Sequence, residues 1–98
     1  MNKLQKKQKN IDFQYACGLG NIKEVYSLIE NNNIDIKCNN NNAIKWAIIN
    51  NHTEIVKFLI NKGASENNSK DLEKFCKARK SNNNILNLFK QCNKLLNF

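Results

Sequence analysis

The sequence predicts an all-α fold, a short solenoid of stacked antiparallel helix pairs, and two observations carry that prediction. Shifted by 31 residues, Tyr15-Ala16, Asn21, Val25, Leu28 and Ile29 fall on Trp46-Ala47, His52, Val56, Leu59 and Ile60. Within each copy the apolar residues recur at helical spacing on both sides of a short polar turn. A recurrence of one helix–turn–helix unit at fixed register is the mark of a repeat array, and a unit this small buries its apolar face only by stacking on a neighbour.

Residues 1–10, MNKLQKKQKN, form a basic arm with too few apolar side chains to pack, so a frayed or loosely held helical extension is expected there. From Ile11 the pattern changes: Phe13, Ala16 and Cys17 precede Gly20-Asn21, and Ile22, Val25, Leu28 and Ile29 form a second stripe. Asn21 and Glu24 have the spacing of a capping box, which places a new helix just after Asn21. The polar run from Lys37 to Asn42 reads as a tight reversal because asparagine tolerates positive φ, and Asn42 stands where it would cap a helix opening at Ala43.

In the second copy Ile44, Ala47 and Ile48 line the first helix, Asn50-Asn51 makes the turn, and Ile55, Val56, Leu59 and Ile60 line the second. Gly63 sits where a left-handed residue would end that helix. Beyond Ala64 the echo fades, yet Leu72, Phe75 and Cys76, then Ile85, Leu86, Phe89 and Cys92, mark two more helices, the first starting near Ser69 with Asp71 in its opening turn. Terminal units are atypical because their outer face meets water. The expected organisation is an arm at 1–10, a repeat at 11–41, a repeat at 42–68 and a degenerate closing unit at 69–98.

At 98 residues the chain has room for one domain, near the lower limit for a self-sufficient core. The net charge of +8 is a lysine bias, since Arg79 is the only arginine and the bidentate guanidinium grip on phosphates and base edges is nearly absent. Asparagine fills 21 positions, isoleucine 11 and lysine 15, all with A/T-rich codons, which further discounts the charge as a sign of function. Cys17, Cys38, Cys76 and Cys92 have no metal-pair or disulfide-framework spacing and read as thiols in a reducing compartment. No run approaches 18 apolar residues and the arm has no apolar signal core, so no membrane association is implied and the cytosol or nucleus is the expected location.

The stretch from Asn42 to Ala64 resembles an ankyrin repeat. The family pattern runs T-P-L-H-x-A-A, two variable residues, G-H-x-E-V-V-K-x-L-L, two variable residues, then G-A; Ala47, His52, Glu54, Val56, Lys57, Leu59, Gly63 and Ala64 match it, with Ile44, Ile55 and Ile60 as apolar equivalents. Asp12 to Ile36 is similar to an opening repeat, with Ala16-Cys17, Gly20-Asn21, Val25, Leu28-Ile29 and Asn33-Ile34-Asp35-Ile36 at corresponding places. The chain departs from the pattern where Thr-Pro-Leu-His is replaced by Asn42-Ala43-Ile44-Lys45. The threonine and histidine cross-link turn to helix, so a looser repeat is expected, and the glycine-free loop from Cys38 to Asn42 points to a stunted hairpin. The Asn/Ile/Lys-rich style also resembles ankyrin proteins of large DNA viruses and some protists, which implies action on host pathways inside a host cell.

His52 is the only histidine, which excludes a His-paired metal site and leaves one base for Cys-His catalysis; its match to the repeat pattern gives it a structural place at a helix start. The eight acids are dispersed and no glycine-rich phosphate loop is present, so neither enzyme activity nor a cofactor nor a metal is expected. Tyr15 and Trp46 share one repeat position and are expected to pack partly between units. The resemblance implies that Leu19 and Ile49 face a concave groove, where an apolar side chain has no intramolecular reason to stand. The expected function is non-catalytic binding of a partner protein through Leu19, Cys38, Asn40, Lys45, Ile49 and Asn50. The competing reading is a nucleic-acid or acidic-surface binder working through the lysines of the arm and through Lys70, Lys74, Lys77, Arg79 and Lys80, a basic stripe that favours acidic partners and salt-dependent association.

Overall fold

The structure, a computed structural model, describes residues 2–96, with side chains placed up to Asn93; Met1 of the expected arm and the last two residues of the expected closing unit lie outside the described residues. Six helices follow one another: α1 (Lys3–Leu19), α2 (Ile22–Asn31), α3 (Cys38–Ile49), α4 (Thr53–Asn61), α5 (Ser69–Ala78) and α6 (Asn83–Leu96). Among the described residues no strand forms. The helices pair as α1/α2, α3/α4 and α5/α6, with α1 packed on α3 and, less extensively, α3 on α5.

The basic segment is helical from Lys3 and runs straight into the rest of α1. Asn2 Oδ1 accepts from Gln5 N at 2.8 Å while Gln5 Oε1 accepts from Asn2 N at 3.1 Å, a complete capping box that starts the helix two turns ahead of the first apolar stripe. The segment is also tied down at its end, where buried Asn10 accepts from Asp35 N at 2.9 Å through its Oδ1.

The three inter-helix turns are built alike. Asn21 N donates to Ala16 O, His52 N to Ala47 O and Ser81 N to Cys76 O, at 3.0, 2.9 and 3.0 Å. The residue before each donor is left-handed: Gly20 at φ 80°, Asn51 at φ 59° and Lys80 at φ 52°. Ending a helix this way satisfies carbonyls of its last turn that have no intrahelical partner. The shared geometry sets the register of the third unit, which follows the second by 29 residues. Tyr15, Trp46 and Phe75 are therefore equivalent, as are Gly18, Ile49 and Ala78, and Leu19, Asn50 and Arg79.

In the same register Phe13 and Ile44, both fully buried, correspond to Glu73, and Cys17 and Ile48 correspond to Lys77. Where the first two units present core side chains to a neighbour, the last presents an ion pair, Lys77 Nζ to Glu73 Oε2 at 3.1 Å. Behind it Ser69 Oγ donates to Asn93 Oδ1 at 2.6 Å and Asn93 Nδ2 donates to Glu73 Oε1 at 2.9 Å. The hydrogen bond from Asn93, then that from Lys77, holds the Glu73 carboxyl below its usual range. The stack ends on a satisfied polar face because the apolar pattern stops there.

Five local expectations can be set against this geometry. Gly63 is left-handed at φ 95°. Asn21 Oδ1 accepts from Glu24 N at 3.3 Å, the forward half of the capping box, with no reciprocal bond from the glutamate side chain. The asparagine loop reverses as expected, with Asn39, Asn40 and Asn41 all left-handed at φ 56°, 59° and 64°. α5 opens at Ser69 as expected, its hydroxyl committed to Asn93 with no capping bond, whereas Asn42 caps nothing and its amide donates to Gln14 Oε1 at 3.1 Å.

Those bonds also answer the loss of the Thr-Pro-Leu-His cross-links. Gln14, one repeat before Lys45, accepts from both Asn42 and Asn39 Nδ2, the latter at 3.3 Å, and buried Asn41 donates through Nδ2 to Ala64 O at 2.7 Å. Asn10 and Asn41 are equivalent, and each ties its own unit to the loop that follows the second helix. Amide side chains thus do the cross-linking expected to be missing.

Candidate functional site

The α1 and α3 helices meet along an aromatic seam. The Tyr15 and Trp46 rings lie edge to face with centroids 5.4 Å apart, a geometry that aromatic quadrupoles favour. Gly18 permits the approach: a Cβ there would stand 3.0 Å from Trp46 Cε3 and 3.3 Å from Trp46 Cβ. The Gly18 carbonyl, near the end of α1, accepts from Asn50 Nδ2 at 2.7 Å and contacts His52 Nε2 at 3.0 Å. A carbonyl only accepts, so the imidazole proton sits on Nε2. His52 is therefore a clamp between the first and second units, in keeping with a structural place.

These contacts leave a cavity of about 340 Å³ lined by Tyr15, Gly18, Leu19, Trp46, Ile49 and Asn50. Leu19 is 76% exposed, Tyr15 56% and Ile49 43%. Three of the six residues expected to bind a partner, Leu19, Ile49 and Asn50, are brought together here. Asn40 and Lys45 line a different cleft of about 240 Å³, between the asparagine loop and α5, with Asn41, Asn68, Asp71 and Phe75. Lys45 leaves the first groove because its ammonium lies over the Phe75 ring, 5.9 Å from the centroid. Half-buried Cys38 lines neither cavity.

The basic candidates also divide. Lys77 is engaged by Glu73 on the end face, Lys80 occupies the left-handed turn position, and the Arg79 guanidinium lies 5.4 Å from the Phe75 centroid at the repeat position of Leu19 and Asn50. Lys70 and Lys74 are exposed on α5. Phe75 was legible only as a member of an apolar stripe. Its place at the end of the line Tyr15, Trp46, Phe75 follows from the 29-residue step that the turn geometry sets.

The two buried thiols are not set up as nucleophiles. Burial pushes the Cys17 thiol up from 9.0 to about 12 and the Cys76 thiol up to about 11, so both stay protonated at neutral pH. Among the described residues no group of three or more His, Cys, Asp or Glu side chains is placed to hold a metal, and no helix is long and apolar enough to cross a membrane.

No curated protein and no solved structure matches the chain. A family model described as ankyrin repeats (3 copies) matches residues 2–71, which includes both the opening of α1 and the start of α5. Such repeats are in general non-enzymatic scaffolds for protein–protein interaction. The repeated turn geometry, the stacked helix pairs and this match together place the chain in the ankyrin-repeat family.

Proposed function

We propose that the chain is a non-catalytic module that takes a partner protein in the groove between α1 and α3, with Leu19, Ile49 and Asn50 at the contact. The observation that carries this reading is the exposure of Leu19 and Ile49 at the rim of an aromatic-lined cavity that their own fold does not fill. The walls are preformed, since the Tyr15–Trp46 pair and the double contact on the Gly18 carbonyl hold them, and little ordering entropy is lost on docking. The proposed setting is the interior of a cell, where four unpaired cysteines remain reduced.

Affinity capture from the source cell tests it. The double variant Leu19→Glu/Ile49→Glu is expected to lose the specific partner, while Lys57→Glu, on an exposed position of α4, retains it. Both variants should keep the wild-type helical signal, since neither touches the core. Capture that survives the double variant contradicts the proposal.

A further inference from the structure

We infer that the segment accepted by this groove is acidic: an extended peptide that seats one apolar side chain between Tyr15, Leu19, Trp46 and Ile49 and places a carboxylate on Arg79 and its neighbouring lysines. The inference rests on the groove reading and specifies its occupant. Of the basic candidates, which the sequence presents as a rival site, Arg79 takes the repeat position of Leu19 and Asn50 and so extends the face that carries the groove. Tyr15, Trp46 and Phe75 occupy the same position in successive units, so the aromatic line begun by the first pair continues toward α5. Two cations lie near its last ring, Lys45 Nζ at 5.9 Å and Arg79 Cζ at 5.4 Å from the centroid.

The charge at that end is not consumed internally. Among the described residues the one ion pair is Lys77 with Glu73, which leaves Lys45, Lys74, Arg79 and Lys80 without a carboxylate within bonding distance. Asp71 shares a cleft with Lys45 but forms no ion pair with it. A guanidinium held beside a ring still has N–H donors to offer a planar anion, and its fork suits a carboxylate. The whole chain carries +8, so its long-range field draws the same kind of partner.

The repeat spacing sets the form of the ligand. Packed helices lie roughly 8–10 Å apart, and an extended chain covers about 3.3–3.6 Å per residue. One unit separates the groove rim from the Arg79 position, so the carboxylate belongs about three residues from the apolar anchor. An exposed acidic segment of a protein has this chemistry. Nucleic acid supplies anions but no side chain for the cavity.

Selection from a random displayed peptide library on the full chain, followed by anisotropy measurements with the enriched peptides, tests the inference. The expected product is a set of peptides pairing an apolar residue with Asp or Glu about three positions away. Leu19→Glu/Ile49→Glu should abolish their binding, Arg79→Glu should weaken it by about tenfold, and raised salt should weaken it progressively. Neutral or basic peptides that still depend on Leu19 and Ile49 would overturn the acidic occupant and leave the groove reading standing. Peptides indifferent to those two residues would overturn the groove reading itself, and an empty selection would overturn both. Mixed-sequence RNA that binds at physiological salt and displaces the acidic peptides through Lys70, Lys74 and Arg79 would also overturn the inference.

Discussion

Phe13→Ala is expected to remove about 3–5 kcal/mol from a domain whose whole stability is of order 5–15 kcal/mol, and to leave a substantial fraction of the chain unfolded at body temperature. Phe13 has no exposed surface and belongs to the buried cluster that also contains Ala16, Val25 and Ile44, so truncating it opens a cavity in the first unit of the stack. Ile44→Ala, one repeat on, should cost about 2–5 kcal/mol for the same reason. The contrast lies in the third unit. Glu73 holds the equivalent position but is polar and reaches solvent, so Glu73→Ala should cost less than either, chiefly the hydrogen bond that Asn93 loses. Urea titration followed by helical circular dichroism measures all three. Equal losses at the three positions would show that the stack does not end where the polar face places its end.

Gly20→Ala is expected to cost about 2 kcal/mol through two separable effects. The residue sits at φ 80°, where an alanine is strained by about 1 kcal/mol relative to glycine. Its new Cβ would also stand 2.6 Å from His52 Cε1 and 2.9 Å from Nε2, so the imidazole must swing away and give up its 3.0 Å contact with the Gly18 carbonyl. That contact is worth about 1 kcal/mol, which is also the expected cost of His52→Ala alone, because Asn50 still serves the same carbonyl. The double variant should then cost about 2 kcal/mol and not the sum of about 3, a coupling of about 1 kcal/mol read from a double-mutant cycle. Strict additivity would separate the glycine from the histidine and remove the clamp from the account.

The first two units were legible because their function in the stack uses residue types that announce themselves. Apolar stripes, Gly20, Gly63 and the His52 match all recur where burial or a left-handed turn demands them. The third unit was not legible at the same level because its end position reverses the chemistry: Glu73 and Lys77 replace core side chains, and Lys80 takes a turn position held by glycine and asparagine in the other units. The asparagine cross-links were hidden by abundance, since nothing in a chain with 21 asparagines marks Asn10 and Asn41 as the buried pair.

The candidate site was legible in its apolar part alone. The family resemblance placed Leu19 and Ile49 on the groove, and Asn50 follows Ile49 in the chain. Lys45 was placed on the same surface, but a long flexible side chain goes where a ring attracts it, and Phe75 does so from the next unit. Gly18 gave no sign of its part, since only the packed indole shows why a side chain there is excluded.

The most direct test of the stacked register is a nuclear Overhauser measurement on isotopically labelled protein, between the Tyr15 ring and the Trp46 indole and between Gly18 Hα and the same indole. With ring centroids 5.4 Å apart and the Cβ direction of Gly18, which one of its Hα atoms occupies, pointing at Trp46 Cε3, cross-peaks are expected for both pairs. Well-dispersed spectra in which the indole of Trp46 shows contacts to neither residue would contradict the stacking, and with it the groove on which the proposed function stands.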